Sequence, residues 1–449
     1  MDNGLTTDAS LTGPARAVRG GALSGRAQAP GDKSMSHRAL IFGALAAGET
    51  AVSGLLEAED VLCTADALRA LGAEITKQDS IWRVRGAGGL SQPDGVLDCG
   101  NSGTGCRLLM GAVAGFPIKA RFTGDESLRG RPMGRVLGPL SDMGVVVDST
   151  EGRLPALVQG VERPTGIDYV LPKPSAQVKS AILLAGLGAD GVTRVTEPEP
   201  TRDHTERMLS AFGVDVDVED LPDGARIVSL KGGQVLTPAR VDIPSDPSSA
   251  AFPVVAALIT PGSDVTAEGV LLNPLRAGLY ETLREMGADI TFENERAAGG
   301  ERVADVRARF SKLKPAQPPA ARAPSMIDEY PILAVAAACA GGQSVFEGLA
   351  ELRVKESDRL GAVAAGLKAC GVAVEEGADW LRVIGTGAAP RGGGRIATHM
   401  DHRIAMAFLT LGLASETPVE IDAADMIATS FPNFFQLMTG LGADIQETS

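Results

Sequence analysis

A short helix-ending signal recurs six times along this chain and restricts its fold more than any other feature. The copies are Leu71-Gly72-Ala73, Met143-Gly144-Val145, Phe212-Gly213-Val214, Met286-Gly287-Ala288, Cys370-Gly371-Val372 and Leu441-Gly442-Ala443. Their glycines lie 72, 69, 74, 84 and 71 residues apart. Each follows an amphipathic stretch, such as Ala65 to Leu71 or Leu279 to Met286, and sits where a helix C-cap belongs. Most are followed by alternating, strand-like residues such as Glu74-Ile75-Thr76.

A second series interleaves with the first. Apolar, small-residue stretches at 39–47, 108–115, 181–187, 253–259, 332–340 and 404–413 each follow a polar or Pro-rich start. Apolar on every side, they read as helices buried inside a bundle. Each unit of about seventy residues is therefore a buried helix, a strand, an amphipathic helix and further strands. Pro30-Gly31-Asp32-Lys33-Ser34 and Pro244-Ser245-Asp246-Pro247-Ser248 are alike, which divides six units into three plus three. The expected fold is α/β, with two similar domains of three such units each. One lobe is expected from 1–28 plus 243–449, carrying both termini, and the other from 29–242. Crossings between them are expected near 25–30 and 240–246. The Ala- and Pro-rich stretch Lys314–Pro324 lengthens one repeat and reads as an exposed loop.

Composition narrows the function. A chain of 449 residues, 44% hydrophobic and 22% charged, can bury two cores. Its net charge of −14 argues against general attraction to nucleic acid or anionic membranes. No apolar run reaches the roughly 20 residues of a membrane span. Five cysteines without a CxxC pair fit a reducing compartment. The first 25 residues have no apolar core, so no secretory signal is expected and the default location is cytoplasmic.

The starts of the buried helices carry the chemistry. A helix N-terminus offers free N–H groups and partial positive charge, and small residues let an anion approach. Lys33, Ser34, Arg38, Asn101, Gly103, Thr104, Ser175, Gln177 and Arg403 gather at those starts, and all four histidines fall in such polar junctions. Arg131, Arg202, Lys355 and Arg359 lie on intervening junctions. One arginine alone would read as a solvated charge; the set in an acidic protein reads as a site for a multiply anionic ligand. Asp328 and Glu356 stand among these cations, either as ion-pair partners or as general acid and base. His399 and His402 are spaced i, i+3, but no further ligand stands at recognisable spacing, so no metal is expected. Cys106 reads as a packing residue.

At these residues the chain resembles the 3-phosphoshikimate 1-carboxyvinyltransferase (EPSP synthase) family, from about Gly25 to Asp444. The motifs are Pro30 to Arg38, Gly100-Asn101-Ser102-Gly103-Thr104, Arg131-Pro132-Met133-Gly134-Arg135, Asp328-Glu329-Tyr330-Pro331, Arg353 to Arg359 and Asp401 to Met406. The resemblance implies an enolpyruvyl transferase fold, two domains each built from three βαββαβ-type units as an inverse α/β barrel and joined by two hinge crossings, closing around shikimate-3-phosphate and phosphoenolpyruvate. It implies no metal or organic cofactor, a monomer, and small-molecule substrates only. By the same resemblance Lys33, Ser34, Arg38, Ser175, Ala176, Gln177, Arg202, Asp328 and Lys355 hold shikimate-3-phosphate. Lys33, Gly103, Arg131, Gln177, Arg359 and Arg403 hold phosphoenolpyruvate. Asp328 acts as base on the 5-hydroxyl, and Glu356, with Lys33, manages the proton at the vinyl carbon.

Ala176 stands where many members have a second Ser, and Arg202 replaces an aromatic residue. A lysine carried near the C-terminus by the common form is missing from Ala428-Thr429-Ser430-Phe431-Pro432. These departures resemble the class II group, some of whose members resist glyphosate. Resistance there goes with Ala at the position of Gly103, and this chain keeps Gly. Two rivals remain at this level. One is the sister enzyme that transfers enolpyruvate to UDP-N-acetylglucosamine and carries a reactive Cys on a loop; the corresponding stretch 116–130 has none. The other is a non-catalytic anion-binding protein of the same fold.

Overall fold

The computed structural model describes Leu11 and residues 13–448. Residues 1–10, which the lobe expected at 1–28 and the argument against a secretory signal both include, lie outside the described residues, as does residue 12. The chain divides into two compact units. The first holds the described residues up to Pro30, then Ser245–Arg296 and Arg302 onward. The second holds Gly31–Pro244 and the short segment Ala297–Glu301.

In the second unit the buried helices are Lys33–Leu45, Gly103–Ala114 and Ala176–Gly186. Each starts some five or six residues before the apolar run begins, so the polar junctions read from sequence are their first turns. Asp32, Ser102 and Ser175 cap them, accepting hydrogen bonds from the backbone N–H groups of Met35, Gly105 and Val178. These side chains satisfy donors that the first turn leaves without helical partners. Gly111 shows how tightly the helices meet: a Cβ there would lie 2.4 Å from the Ala181 carbonyl oxygen. Only glycine allows that backbone approach.

Three sheets enclose these helices, each with one parallel edge strand followed by two antiparallel pairings. In the first, Arg240–Asp242 runs parallel to Ala47–Ser53, which pairs antiparallel with Ile81–Ala87 and through it with Glu74–Gln78. The second and third repeat this order around Lys119–Thr123 and Val192–Glu197. The edge strand of the first sheet comes from the end of the third repeat, so the ring of repeats closes on itself.

The first unit follows the same plan around Pro247–Ile259, Tyr330–Cys339 and His402–Gly412, which pack on one another. Asp246 and Asp401 cap the first and third of these. Ser24–Ala27 supplies the parallel edge of one sheet, and Ala15–Val18 lies inside another, between Val419–Ile421 and Asp444–Glu447. The remaining sheet has three strands, Gly341–Phe346, Leu381–Thr386 and Ala373–Glu376.

The stretch Lys314–Pro324, expected as an exposed loop, is irregular and mostly exposed as far as Pro319, but it is anchored at both ends. Its first part lies along the open edge of that three-stranded sheet, where Val345 donates to the Ala316 carbonyl and Ala316 donates to Ser344 Oγ. Its last part enters a 3₁₀ helix, Ala320–Met326, with Ala323 buried. Prolines at 315, 318 and 319 deny it a regular ladder but not its place on the edge.

The six helix-ending glycines all adopt positive φ, from 77° at Gly371 to 101° at Gly442. A side chain would strain each of these turns, which is why the same residue recurs there.

Candidate active site

In the second unit the first turns of the three buried helices bring together most of the residues picked out from sequence. Lys33 opens its helix and pairs with Asp60, whose side chain is 5% exposed. Arg131 is held from two sides: Nη2 donates to Asn101 Oδ1 at 2.6 Å and to Ser127 Oγ at 3.0 Å, and Nη1 donates to the Asn101 carbonyl at 3.2 Å. Asn101 in turn donates to Asp125 at 2.6 Å. Gly103 is buried beside these groups; a Cβ on it would stand 2.9 Å from Arg107 Nη1 and 3.2 Å from Arg131 Nη1.

Gln177 joins two helix starts. Its Nε2 donates to Thr104 Oγ1 at 2.8 Å, and its Oε1 accepts from Arg107 Nη1 at 2.6 Å. Ser34, Ser175, Ala176 and Arg202 are half-buried, with Arg202 on the segment that leads into the helix His204–Ala211. Arg38 is set deeper. Its Nε, Nη1 and Nη2 donate to Thr205 Oγ1, the Ser34 carbonyl and Ser180 Oγ at 2.7, 2.9 and 2.7 Å. His37, one turn into the same helix, faces Thr64 Oγ1 and the Ser102 cap. Burial, with Lys33 and Arg38 nearby, holds its imidazole well below the usual histidine range and therefore neutral.

Beneath these groups Lys179 is fully buried between two carboxylates, 2.8 Å from Glu197 and 2.6 Å from Glu206. Burial opposes its charge, but the two carboxylates outweigh it and raise its pKa. Glu197 also accepts the Thr201 backbone N–H at 3.2 Å, so the network ties down the segment that carries Arg202.

The first unit builds a second cluster on the same principle. Arg359, the first residue of the helix Arg359–Ala369, is 1% exposed and meets a carboxylate at every nitrogen. Nε donates to Asp401 at 2.8 Å, Nη1 to Asp328 at 3.2 Å, and Nη2 lies 2.5 Å from Glu356. Burial alone would lower its pKa; Asp401, Glu356 and Asp328 reverse that and keep the guanidinium charged. Lys355 Nζ lies 3.3 Å from Asp328, and Arg403 Nη1 donates to the Asp328 carbonyl at 3.3 Å. Asp328, Glu356, Lys355, Arg359 and Arg403 thus form one group of alternating charge.

The sequence reading passed over Asp60, Arg107 and the buried network of Lys179. Asp401 it quoted only as part of a motif. A charged residue one turn into an otherwise apolar helix, as at Arg107 and Lys179, was the available signal.

Asp203, His204 and Glu301, all within the second unit, bring ligand-type atoms within 4.8 Å of one another. The place beside their carboxylates is taken by Arg207, whose Nε lies 2.8 Å from Asp203 and 3.7 Å from Glu301. The group reads as an ion-pair cluster. It includes neither His399, exposed on a turn, nor His402, buried at a helix start. The thiols do not suit nucleophilic work. Burial pushes Cys63 and Cys370 up to about 11 and Cys339 up to about 12. Cys106 is buried, as a packing residue would be.

A family model described as EPSP synthase (3-phosphoshikimate 1-carboxyvinyltransferase) matches residues 18–438. A protein of that name from Phenylobacterium zucineum is 60% identical over 431 residues, spanning 96% of this chain and 95% of its own. Another from Parvibaculum lavamentivorans is 60% identical over 427 residues, spanning 94% and 95%. Among solved structures, an EPSP synthase from Acinetobacter baumannii superposes with a TM-score of 0.86 at 46% identity, covering 97% of this chain and 100% of that one. The enolpyruvyl transferase NikO from Streptomyces tendae, at 19% identity and a TM-score of 0.76, shares the fold. With a family-model match over residues 18–438 and relatives 60% identical over nearly the whole length, the chain belongs to the EPSP synthase family.

Proposed function

We propose that this enzyme transfers the enolpyruvyl group of phosphoenolpyruvate to the 5-hydroxyl of shikimate-3-phosphate, releasing phosphate, and that both clusters serve that one reaction. The observation that carries the division of roles is the pairing of Asp328 and Glu356 on one guanidinium, that of Arg359. A base and an acid held by a shared cation can work on two reacting centres in one addition.

Asp328 takes the proton of the 5-hydroxyl while Glu356, with Lys33, delivers a proton to the methylene carbon of phosphoenolpyruvate. The hydroxyl oxygen bonds to the adjacent carbon, giving a tetrahedral intermediate. Phosphate then leaves with the electrons of its C–O bond, and the new methyl group returns a proton to Glu356, restoring the vinyl ether. Positioned acids and bases each contribute on the order of 10²–10⁴-fold. Lys33, Gly103, Arg131, Gln177, Arg359 and Arg403 are assigned to the carboxylate and phosphate of phosphoenolpyruvate. Lys33, Ser34, Arg38, Ser175, Ala176, Gln177, Arg202, Asp328 and Lys355 are assigned to shikimate-3-phosphate. Fixed cations of this kind stabilise charge that develops on the departing phosphate. Arg38, with three nitrogens engaged inside the unit, would act from a fixed position.

We assign the enzyme to the cytoplasm as a monomer. Among the described residues no helix is long and apolar enough to cross a membrane. The test is phosphate release from phosphoenolpyruvate with each acceptor. Release with shikimate-3-phosphate alone is expected; release with UDP-N-acetylglucosamine, or with no acceptor, would overturn the assignment.

A further inference from the structure

We infer that Asp401 is a positioning residue for this reaction, turning the Arg359 guanidinium so that its two outer nitrogens carry Asp328 and Glu356. The inference rests on the roles proposed above for those two carboxylates.

Asp401 is fully buried, and each of its oxygens is committed. Oδ1 accepts the backbone N–H of Arg403 at 3.0 Å, which caps the helix His402–Gly412. Oδ2 accepts from Arg359 Nε at 2.8 Å and from Ser357 Oγ at 3.0 Å. The carboxylate therefore cannot rotate without uncapping a helix and releasing two donors. A guanidinium is planar, so fixing Nε in a buried pair fixes the direction of both Nη groups. Those groups reach Asp328 and Glu356, and Lys355 and Arg403 supply the neighbouring charge on Asp328. Asp401 touches neither carboxylate's role directly; it acts through Arg359. It also sets where Arg403 begins its helix, so one buried side chain places two cations assigned to phosphoenolpyruvate.

Asp401→Asn keeps the size and the capping oxygen while removing the charge that holds Nε. The expected result is a fall in kcat of tenfold or more, a shifted pH profile of kcat, and a rise in KM for phosphoenolpyruvate. A role confined to folding would lower the melting temperature but leave the pH profile where it was. Arg359→Lys, which has no Nε fork, provides the partner for a double-variant cycle. Losses in the double variant should fall well short of the product of the single losses. Wild-type kcat and pH profile in Asp401→Asn, or losses that multiply fully, would overturn the inference. A separate failure is recognisable: Arg359→Lys with unchanged kcat and unchanged KM for phosphoenolpyruvate would remove Arg359 from the site and leave Asp401 nothing to position. A measurement on the wild-type chain covers the case in which Asp401→Asn does not fold. The Nε–H resonance of Arg359 should exchange slowly with solvent; rapid exchange would show that the pair does not hold it.

Discussion

Arg107 donates through Nη1 to Gln177 Oε1 at 2.6 Å, joining the first turns of two buried helices in the second unit. Its Nη2 donates to the Pro132 carbonyl at 3.1 Å, next to Arg131. One guanidinium therefore sets two groups assigned to substrate. Hydrogen bonds to charged groups contribute about 1.5–3 kcal/mol. Arg107→Leu, which keeps much of the buried volume, is expected to lower kcat/KM by about ten- to a hundredfold, since about 1.4 kcal/mol is tenfold. Steady-state kinetics beside thermal unfolding would check this. A loss of stability with unchanged kcat/KM would confine Arg107 to packing.

Asp328 and Glu356 share Arg359, so removal of either leaves the guanidinium with two other carboxylates. Neither loss strands a buried positive charge, and both variants to Ala are expected to fold with near-normal melting temperatures. Turnover should fall in each by about 10²–10⁴-fold, the range for a positioned acid or base. Near-normal turnover in one variant would take that residue out of the proton transfers while leaving the other in place.

Lys179 pairs with both Glu197 and Glu206, whose side chains are also buried. Breaking a buried pair by removing one partner typically costs about 3–5 kcal/mol, because the remaining charge has no compensation. Lys179→Met is therefore expected to lower the melting temperature by several degrees. It should also raise KM for shikimate-3-phosphate, because Glu197 anchors Thr201 beside Arg202. Calorimetry and kinetics on the same preparation test both halves.

The repeat was legible because its punctuation is local. Gly72, Gly144, Gly213, Gly287, Gly371 and Gly442 sit at left-handed turns that a side chain would strain, so one residue type marks all six. The starts of the buried helices were legible for a similar reason: Asp32, Ser102 and Ser175 cap their own first turns. What escaped depends on distant partners. Asp60 meets Lys33 across 27 residues within one repeat, and Arg107 meets Gln177 across 70 through packing of separate repeats. Lys179 reads in sequence like a polar residue at a helix start, and nothing local shows that two carboxylates bury with it. The edge position of Lys314–Pro324 was hidden because prolines erased the strand pattern while leaving its carbonyls available.

His37 gives the stability a dependence on pH with a definite direction. In the folded chain burial keeps it neutral well below its usual range, whereas in the unfolded chain it takes up a proton near pH 6.5. Below that value the unfolded state binds the extra proton. The His37 contribution is therefore complete above about pH 6.5 and declines as the pH falls, by about 1.4 kcal/mol per pH unit. His37→Gln, which can still reach Thr64, should remove that part of the slope. Urea unfolding of both proteins at pH 7.5, 6 and 5 would show the gap between them narrowing toward acid. A constant gap would mean that His37 titrates alike in the folded and unfolded chains, and that burial does not hold it neutral.

Gly103 offers the sharpest contrast between two ligands of similar charge. A Cβ there would meet Arg107 Nη1 at 2.9 Å, Arg131 Nη1 at 3.2 Å and Leu128 Cδ1 at 3.6 Å. The two close neighbours are the far ends of long side chains, so Gly103→Ala can be accommodated by a small displacement of both guanidinium groups. Gly103 is the first residue of its helix, where the interior preference for Ala over Gly of about 1 kcal/mol applies only in part, so stability should change little. The added methyl narrows the space beside Arg131, where phosphoenolpyruvate is assigned. Glyphosate is longer than phosphoenolpyruvate and needs more of that space. The inhibition constant for glyphosate is therefore expected to rise more than KM for phosphoenolpyruvate. Inhibition assays at several phosphoenolpyruvate concentrations measure both in one experiment. Equal inhibition constants in wild type and Gly103→Ala would show that the inhibitor does not approach this helix start.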